Sequence, residues 1–188
     1  MASSLGDTKY TEGYLRNSSG QMMTLLSHEI WVGAVPPFPD IILDQGTGEF
    51  KQSADSGDGK TPGCVGALAY KFKDGDGKEL KWVVAWSNLE GPDSKVINIH
   101  VAALHSLNNP YRVNKVNQCN ECEVQVYTDL FDRPMQWSEI RSLLEKDGRP
   151  NYQTDKFGFH LEIDIPPRDR TATMKASIEA PFFKAEQN

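Results

Sequence analysis

The chain has 188 residues and a net charge of −6 at pH 7. Its length suits a single domain over residues 1–188, whereas the acidic balance disfavours a nucleic-acid partner, which requires a basic surface. No stretch is long enough for a transmembrane segment, and the opening MASSLGDTKYTEG lacks a secretory signal. We therefore expect a cytoplasmic or nuclear protein, with flexible ends at 1–9 and 184–188.

Strand-like runs recur between turn signals along most of the chain. They alternate apolar and polar side chains or are rich in β-branched residues. The predicted strands are Glu12–Asn17, Met22–Val32, Val65–Phe72, Leu80–Ser87, Val96–Ala103, Glu123–Tyr127, Phe157–Ile165 and Ala172–Ile178. In the run HLEID we expect Leu161 and Ile163 to point inward, and Glu162 and Asp164 outward.

Three polar or proline-rich segments link these strands. The stretch KDGDGKE contains Asp-Gly twice and predicts a hairpin turn. Residues 51–63, KQSADSGDGKTPG, are predicted to form a long, mobile surface loop, and the prolines at 36, 37 and 39 an extended connector within the domain.

One segment has helical periodicity. In RPMQWSEIRSLLEKDG, the apolar residues Trp137, Ile140 and Leu144 lie at i, i+3 and i+7, which predicts an amphipathic helix over 134–147. Many strands with one helix indicate a mainly β protein: an antiparallel β-sandwich with the helix packed against it.

The run LKWVVAWSN places Trp82 and Trp86 on the same face of a strand. Since one face of each sandwich strand is buried, we expect both rings in the core. The alternative is that Trp86 lines a pocket whose polar edge is formed by Ser87 and Asn88. These three residues and Trp31 are the candidate ligand-binding residues.

Three cysteines raise the question of metal or redox chemistry. Cys119 and Cys122 form a Cys-x-x-Cys motif, but the following EVQVY predicts a strand rather than the helix that a redox motif opens. A zinc site would need two further ligands, from Cys64 and a histidine: His28, His100, His105 or His160. We expect cysteines without a metal or cofactor; zinc at Cys64, Cys119 and Cys122 is the weaker alternative.

Catalytic motifs are incomplete. HEIWV has Val32 where a zinc protease needs its second histidine, and GKT at 59–61 lacks the preceding glycine of a phosphate loop, because residue 54 is Ala54. These gaps favour a protein that is not an enzyme. The alternative is a catalytic site assembled from distant residues, with His100, His105, Tyr127 and Asp129 as candidates.

Five segments in the first half of the chain resemble the plant jasmonate-induced 23 kDa protein family. The matching pieces are Trp31 with Gly33, Pro36 to Pro39, Ile42 to Phe50, Gly66 to Tyr70, and Trp82 to Asn88. The resemblance covers residues 10–104, and AWSN is its most specific part. It implies a soluble plant protein that accumulates in stress or defence.

The order of elements resembles, more distantly, the aegerolysin and actinoporin type of β-sandwich. That resemblance implies lipid binding or pore formation, although their aromatic lipid-contact cluster has no counterpart here residue by residue. The sequence thus favours a non-enzymatic protein that binds a lipid, a glycan or another small molecule. The alternatives are a protein–protein interaction subunit, as in a homodimer, and the enzyme described above.

Overall fold

The computed structural model describes residues 10–54, 63–89, 124–166 and 171–180. These contain ten strands and one helix. In chain order they are β1 (Tyr10–Ser18), β2 (Met23–Val32), β3 (Ile41–Ile42), β4 (Thr47–Ser53), β5 (Gly63–Lys73), β6 (Glu79–Leu89), β7 (Val124–Phe131), α1 (Trp137–Asp147), β8 (Asn151–Lys156), β9 (Phe159–Asp164) and β10 (Thr171–Glu179). Within these residues, no helix is both long and apolar enough to span a bilayer.

The strands form two five-stranded sheets. Sheet A has the order β4-β1-β10-β9-β8, and sheet B the order β3-β2-β5-β6-β7. All pairs are antiparallel except β1 with β10, which run parallel over their full length. The predicted mainly β sandwich with one helix is confirmed; the parallel pair arises because the first and last described strands lie side by side.

The main core fills the space between the sheets. It is built from the inward-facing residues of both, including the predicted pair Leu161 and Ile163 on β9. Trp82 and Trp86 belong to it and are fully buried, as predicted. Each large ring contributes about 2–3 kcal/mol through burial, so this pair is a major part of the core energy.

A second core lies on the other face of sheet B, beneath α1. Ile140 and Leu144 of the helix pack there against small and β-branched residues of β5 and β6, such as Ala67 and Val83. Strands β5 and β6 are therefore buried on both faces, whereas β1 and β10 alternate. The predicted helix is confirmed, although it begins at Trp137, three residues after Pro134.

Two strand assignments require correction. Residues 51–53 are not part of a loop, because they complete β4, where Gly48, Phe50 and Gln52 alternate inward. The predicted strand Phe157–Ile165 is confirmed as β9 but begins at Phe159, since Phe157 and Gly158 have positive φ and form the turn between β8 and β9. Strand β8, NYQTDK, carries no apolar alternation and was not predicted; it pairs on one side only, with β9. The predicted strand Val96–Ala103 lies outside the described residues.

Candidate functional site

The structure distributes the four sequence-predicted ligand residues over both faces of sheet B. Trp86 and Asn88 point between the sheets and are 0% and 1% exposed. Trp31 packs against the second core, and Ser87 alternates with Trp86 and Asn88 toward the same helix-covered face. The four residues thus do not share one surface, and their role in ligand binding stays a prediction.

Polar atoms of the two buried residues already have protein partners. Trp86 Nε1 donates a hydrogen bond of 2.7 Å to Gln52 Oε1. Asn88 Nδ2 lies 3.2 Å from the carbonyl oxygen of Tyr10 and 3.1 Å from Thr11 Oγ1, across the sheet interface. Both contacts join sheet B to sheet A, so these side chains hold the sandwich together.

The proposed metal and catalytic residues are only partly described. Cys64 is buried on β5, with its Sγ 3.4 Å from the carbonyl oxygen of Gln52. Cys119, Cys122, His100 and His105 lie outside the described residues. Among the residues that are described, no group of three or more His, Cys, Asp or Glu side chains could hold a metal ion.

Tyr127 and Asp129, the other two catalytic candidates, form part of a structural network. The Tyr127 hydroxyl donates to Asp129 Oδ2 at 3.1 Å, and Lys156 Nζ lies 2.9 Å from the same oxygen. The other carboxylate oxygen accepts the backbone N–H of Leu130 at 2.7 Å. Burial, reinforced by the adjacent Asp129 charge, raises the pKa of Tyr127 far above its usual value. This phenol therefore stays protonated as a donor to Asp129.

A concave surface lies on the outer face of sheet A. It is an open groove of about 400 Å³ over strands β4, β1, β10 and β9. Its lining residues are Tyr14, Arg16, Thr47, Glu162, Asp164, Lys175, Ala176 and Ser177. We call it the outer-face groove.

Two rows of cross-strand neighbours arrange the groove. In one row, Lys175 of β10 lies between Tyr14 of β1 and Asp164 of β9. In the other, Arg16 is paired with Ser177, which is paired with Glu162. Neighbouring strands lie about 4.8 Å apart, so cations and carboxylates stand close together on this face.

The charges of the groove remain available to a ligand. Within the described residues, Lys175, Glu162 and Asp164 form no ion pair, and the Arg16 guanidinium donates only a 3.3 Å hydrogen bond to Gln45. Partial burial raises the pKa of Asp164, an effect opposed by Lys175 and reinforced by Glu162. Among the described residues, the groove therefore keeps a partly desolvated carboxylate that forms no ion pair, although the Lys175 charge acts on it from the neighbouring strand.

Sequence reasoning missed this groove because its residues come from four strands. The one usable signal was the outward direction of Glu162 and Asp164, which is confirmed by their place in the groove lining. The pairing of β1 with β10 brings Tyr14 and Arg16 beside Lys175 and Ser177, some 160 residues further along the chain. No local pattern predicts that pairing.

Comparisons with known proteins show a similarity in fold between this chain and a solved structure. No protein-family model matches the sequence, and no curated protein sequence matches it. A solved structure with a similar fold is that of the lipid binding protein Nakanori, with a TM-score of 0.63 and 13% identity, covering 93% of this chain and 72% of the other. The shared property is the fold. At that identity the likeness does not extend to individual residues.

Proposed function

We propose that this protein is a non-enzymatic lipid-binding β-sandwich, and that the outer-face groove receives the zwitterionic headgroup of a phospholipid. The observation that carries the proposal is the presence of both signs of charge around one groove, with no ion pair between them among the described residues. Such a headgroup carries a phosphate and an ammonium a few ångströms apart, which is the spacing of neighbouring strands.

The two charges of the headgroup would have different partners. Arg16 and Lys175 are donors for the phosphate, since guanidinium and ammonium groups form strong, charge-assisted hydrogen bonds with it. Asp164 and Glu162 would face the ammonium, and the ring of Tyr14 supplies a π-face for a quaternary or primary amine. The solved structure of similar fold is titled a lipid binding protein, which supports the same ligand class.

The biological setting is part of the proposal. The resemblance of residues 10–104 to the jasmonate-induced family supports a role in plant stress or defence. A cytoplasmic or nuclear location is part of the same proposal. Recognition of a lipid headgroup would then occur at the inner surface of cellular membranes.

A direct test measures binding of soluble phosphocholine and phosphoethanolamine by isothermal titration calorimetry, with glucose and galactose as glycan probes. We expect binding of a zwitterionic headgroup, weakened about tenfold or more by Arg16→Gln and Lys175→Gln, because each removes a charged hydrogen bond. Lys51→Gln is the matched control: Lys51 is exposed on the same sheet face but is paired with Glu12 at 3.0 Å, outside the groove. Sugar binding without headgroup binding, or equal loss in all three variants, would contradict the proposal.

A homodimer is the second candidate, and one observation favours it. The two-residue strand β3 is an edge of sheet B, and its Ile41 side chain is 51% exposed. An exposed edge strand can pair with that of a second copy. Light scattering on the purified protein distinguishes the two states: a monomer at micromolar concentration rules out this assembly as the basis of function.

A further inference from the structure

Large exposed apolar side chains are concentrated at one end of the sandwich. Among the described residues they are Met22, Leu26, Val35, Ile41, Leu43 and Phe157. Met22 directly precedes β2, while Ile41 and Leu43 lie in and just after β3, which pairs with the beginning of β2. This places three of the six side chains at one corner.

Phe157 lies at the same end, at the opposite corner. Ser18, the last residue of β1, is paired with Glu179, which is paired with His160 of β9. The β8–β9 turn is therefore level with the β1–β2 turn, but on the far side of sheet A. Five paired strands span roughly 20 Å, so the two apolar corners lie about that far apart at the same end of the sandwich. We call Met22, Ile41, Leu43 and Phe157 the apolar end.

The backbone at Phe157 is unfavourable for its side chain. Its φ is +50° in a two-residue turn with Gly158, where asparagine is the preferred residue. The ring is nonetheless 41% exposed, and it does not belong to either hydrophobic core. Backbone strain at a position whose bulky ring stays largely accessible to solvent is typical of a functional contact.

Charges around Phe157 are balanced. Lys78 Nζ lies 4.6 Å and Lys156 Nζ 5.8 Å from the ring centre. Each ammonium is also paired with a carboxylate, Lys78 with Asp132 at 2.8 Å and Lys156 with Asp129 at 2.9 Å. An aromatic ring among paired charges suits the interface of a neutral bilayer better than a strongly anionic one.

The apolar end is continuous with the outer-face groove. Arg16 of the groove donates its hydrogen bond to Gln45, two residues after Leu43. The same loop is fixed to the β1–β2 turn, because the N–H of Gly20 donates to Asp44 Oδ1 at 2.9 Å. The loop that carries Leu43 is thus held next to Arg16, one of the groove residues proposed to bind the headgroup.

We infer that the apolar end is the surface by which this protein rests on a bilayer of zwitterionic phospholipid, its apolar side chains entering the interface while the adjacent groove binds a headgroup. The ligand class rests on the proposed function. Two separated apolar corners with polar turns between them match a planar lipid surface. An interface with a second copy of the chain would instead require one continuous apolar patch.

Co-sedimentation with vesicles of equal parts phosphatidylcholine and phosphatidylethanolamine tests the inference. We expect Leu43→Ser and Phe157→Asn each to weaken vesicle binding about tenfold or more, since a buried leucine or phenylalanine side chain contributes on that scale. Val35→Ser is the matched control: Val35 and Leu43 are both 63% exposed, but Val35 follows the other end of β2. Phosphocholine binding in solution should be unchanged in all three variants.

Each outcome decides between the two proposals. If the wild type binds soluble headgroups but not vesicles, or if Leu43→Ser and Phe157→Asn bind vesicles like the wild type, the inference fails and the groove stands. If vesicle binding depends on Leu43 and Phe157 while soluble headgroups do not bind, the role of the apolar end in membrane contact is supported and the proposed headgroup binding is contradicted. Binding to neither probe overturns both. Phe157→Asn should also be at least as stable as the wild type, because asparagine adopts this φ readily.

Discussion

Trp86 and Gln52 connect the two sheets by a buried hydrogen bond of 2.7 Å between Nε1 and Oε1. Gln52 is fully buried on β4 of sheet A, and its Nε2 donates to the carbonyl oxygen of Val32 at 2.9 Å. The Gln52 side chain thus accepts the indole N–H of Trp86 on β6 and donates to the carbonyl oxygen of Val32, the last residue of β2. This relationship assigns a structural task to the most specific motif of the sequence, AWSN.

Trp86→Phe should lower the free energy of unfolding by about 2–4 kcal/mol, because it removes buried area and leaves Gln52 Oε1 without its donor. Urea denaturation measures the loss. Headgroup binding should be unaffected, since Trp86 is not among the groove residues. Unchanged stability with lost binding would instead place Trp86 at the edge of a ligand site.

Gly13 of β1 lies under the ring of its cross-strand partner Phe50. A Cβ at Gly13 would lie well inside van der Waals distance of that ring, which itself contacts Trp86 at 4.9 Å between centroids. Gly13→Ala should therefore destabilise the protein by about 1–3 kcal/mol through overpacking. Gly75→Ala is the control, because a Cβ there meets nothing within 4 Å. Equal melting temperatures for the two variants would contradict the interpretation.

Asn17 holds together the segments that carry Met22, Ile41 and Leu43 of the apolar end. Its Nδ2 donates to the carbonyl oxygens of Gln21 and Ile42, at 2.7 and 3.0 Å, and its Oδ1 accepts from the N–H and hydroxyl of Ser19. Asn17→Ala should cost about 2–4 kcal/mol of unfolding free energy, since several buried polar groups lose their partner. Asn151→Ala, on exposed β8, should change stability by less than about 0.5 kcal/mol. Thermal denaturation of both variants tests the difference.

Asp164 should contribute to ligand binding at the expense of stability. Burial raises its folded-state pKa, so between the unfolded and folded pKa values the native state binds more protons than the unfolded state. The contribution of Asp164 to the free energy of unfolding is therefore lost as the pH rises through its folded-state pKa.

Asp164→Asn removes the desolvated charge. The variant should melt at a higher temperature than the wild type at pH 7. The gain should shrink as the pH falls through the folded pKa and vanish below the ordinary aspartate pKa of about 3.9, where the carboxyl is neutral in both states. Glu49→Gln, an exposed neighbour of Tyr14 on β4, should show little change at either pH. A destabilised Asp164→Asn at pH 7 would mean that the carboxylate holds the fold together.

The sequence by itself determined the class of the fold and its core. Period-two alternation marks Leu161 and Ile163 as inward, and the i, i+3, i+7 spacing marks the helix around Ile140, because these periods follow from backbone geometry alone. The paired tryptophans belong to the core for the same reason. Strand β8 was missed because an edge strand with polar side chains has no such period.

Only the tertiary structure decided what the surfaces are. The groove depends on Tyr14 and Arg16 meeting Lys175 and Asp164, and the apolar end on Leu43 lying level with Phe157. Pairing between distant strands sets these relationships, and it is fixed by the packing of the whole sandwich rather than by any local segment. Of the predicted ligand residues on β6, Ser87 lies on the opposite face of sheet B from Trp86 and Asn88, because neighbours along a strand point to opposite faces.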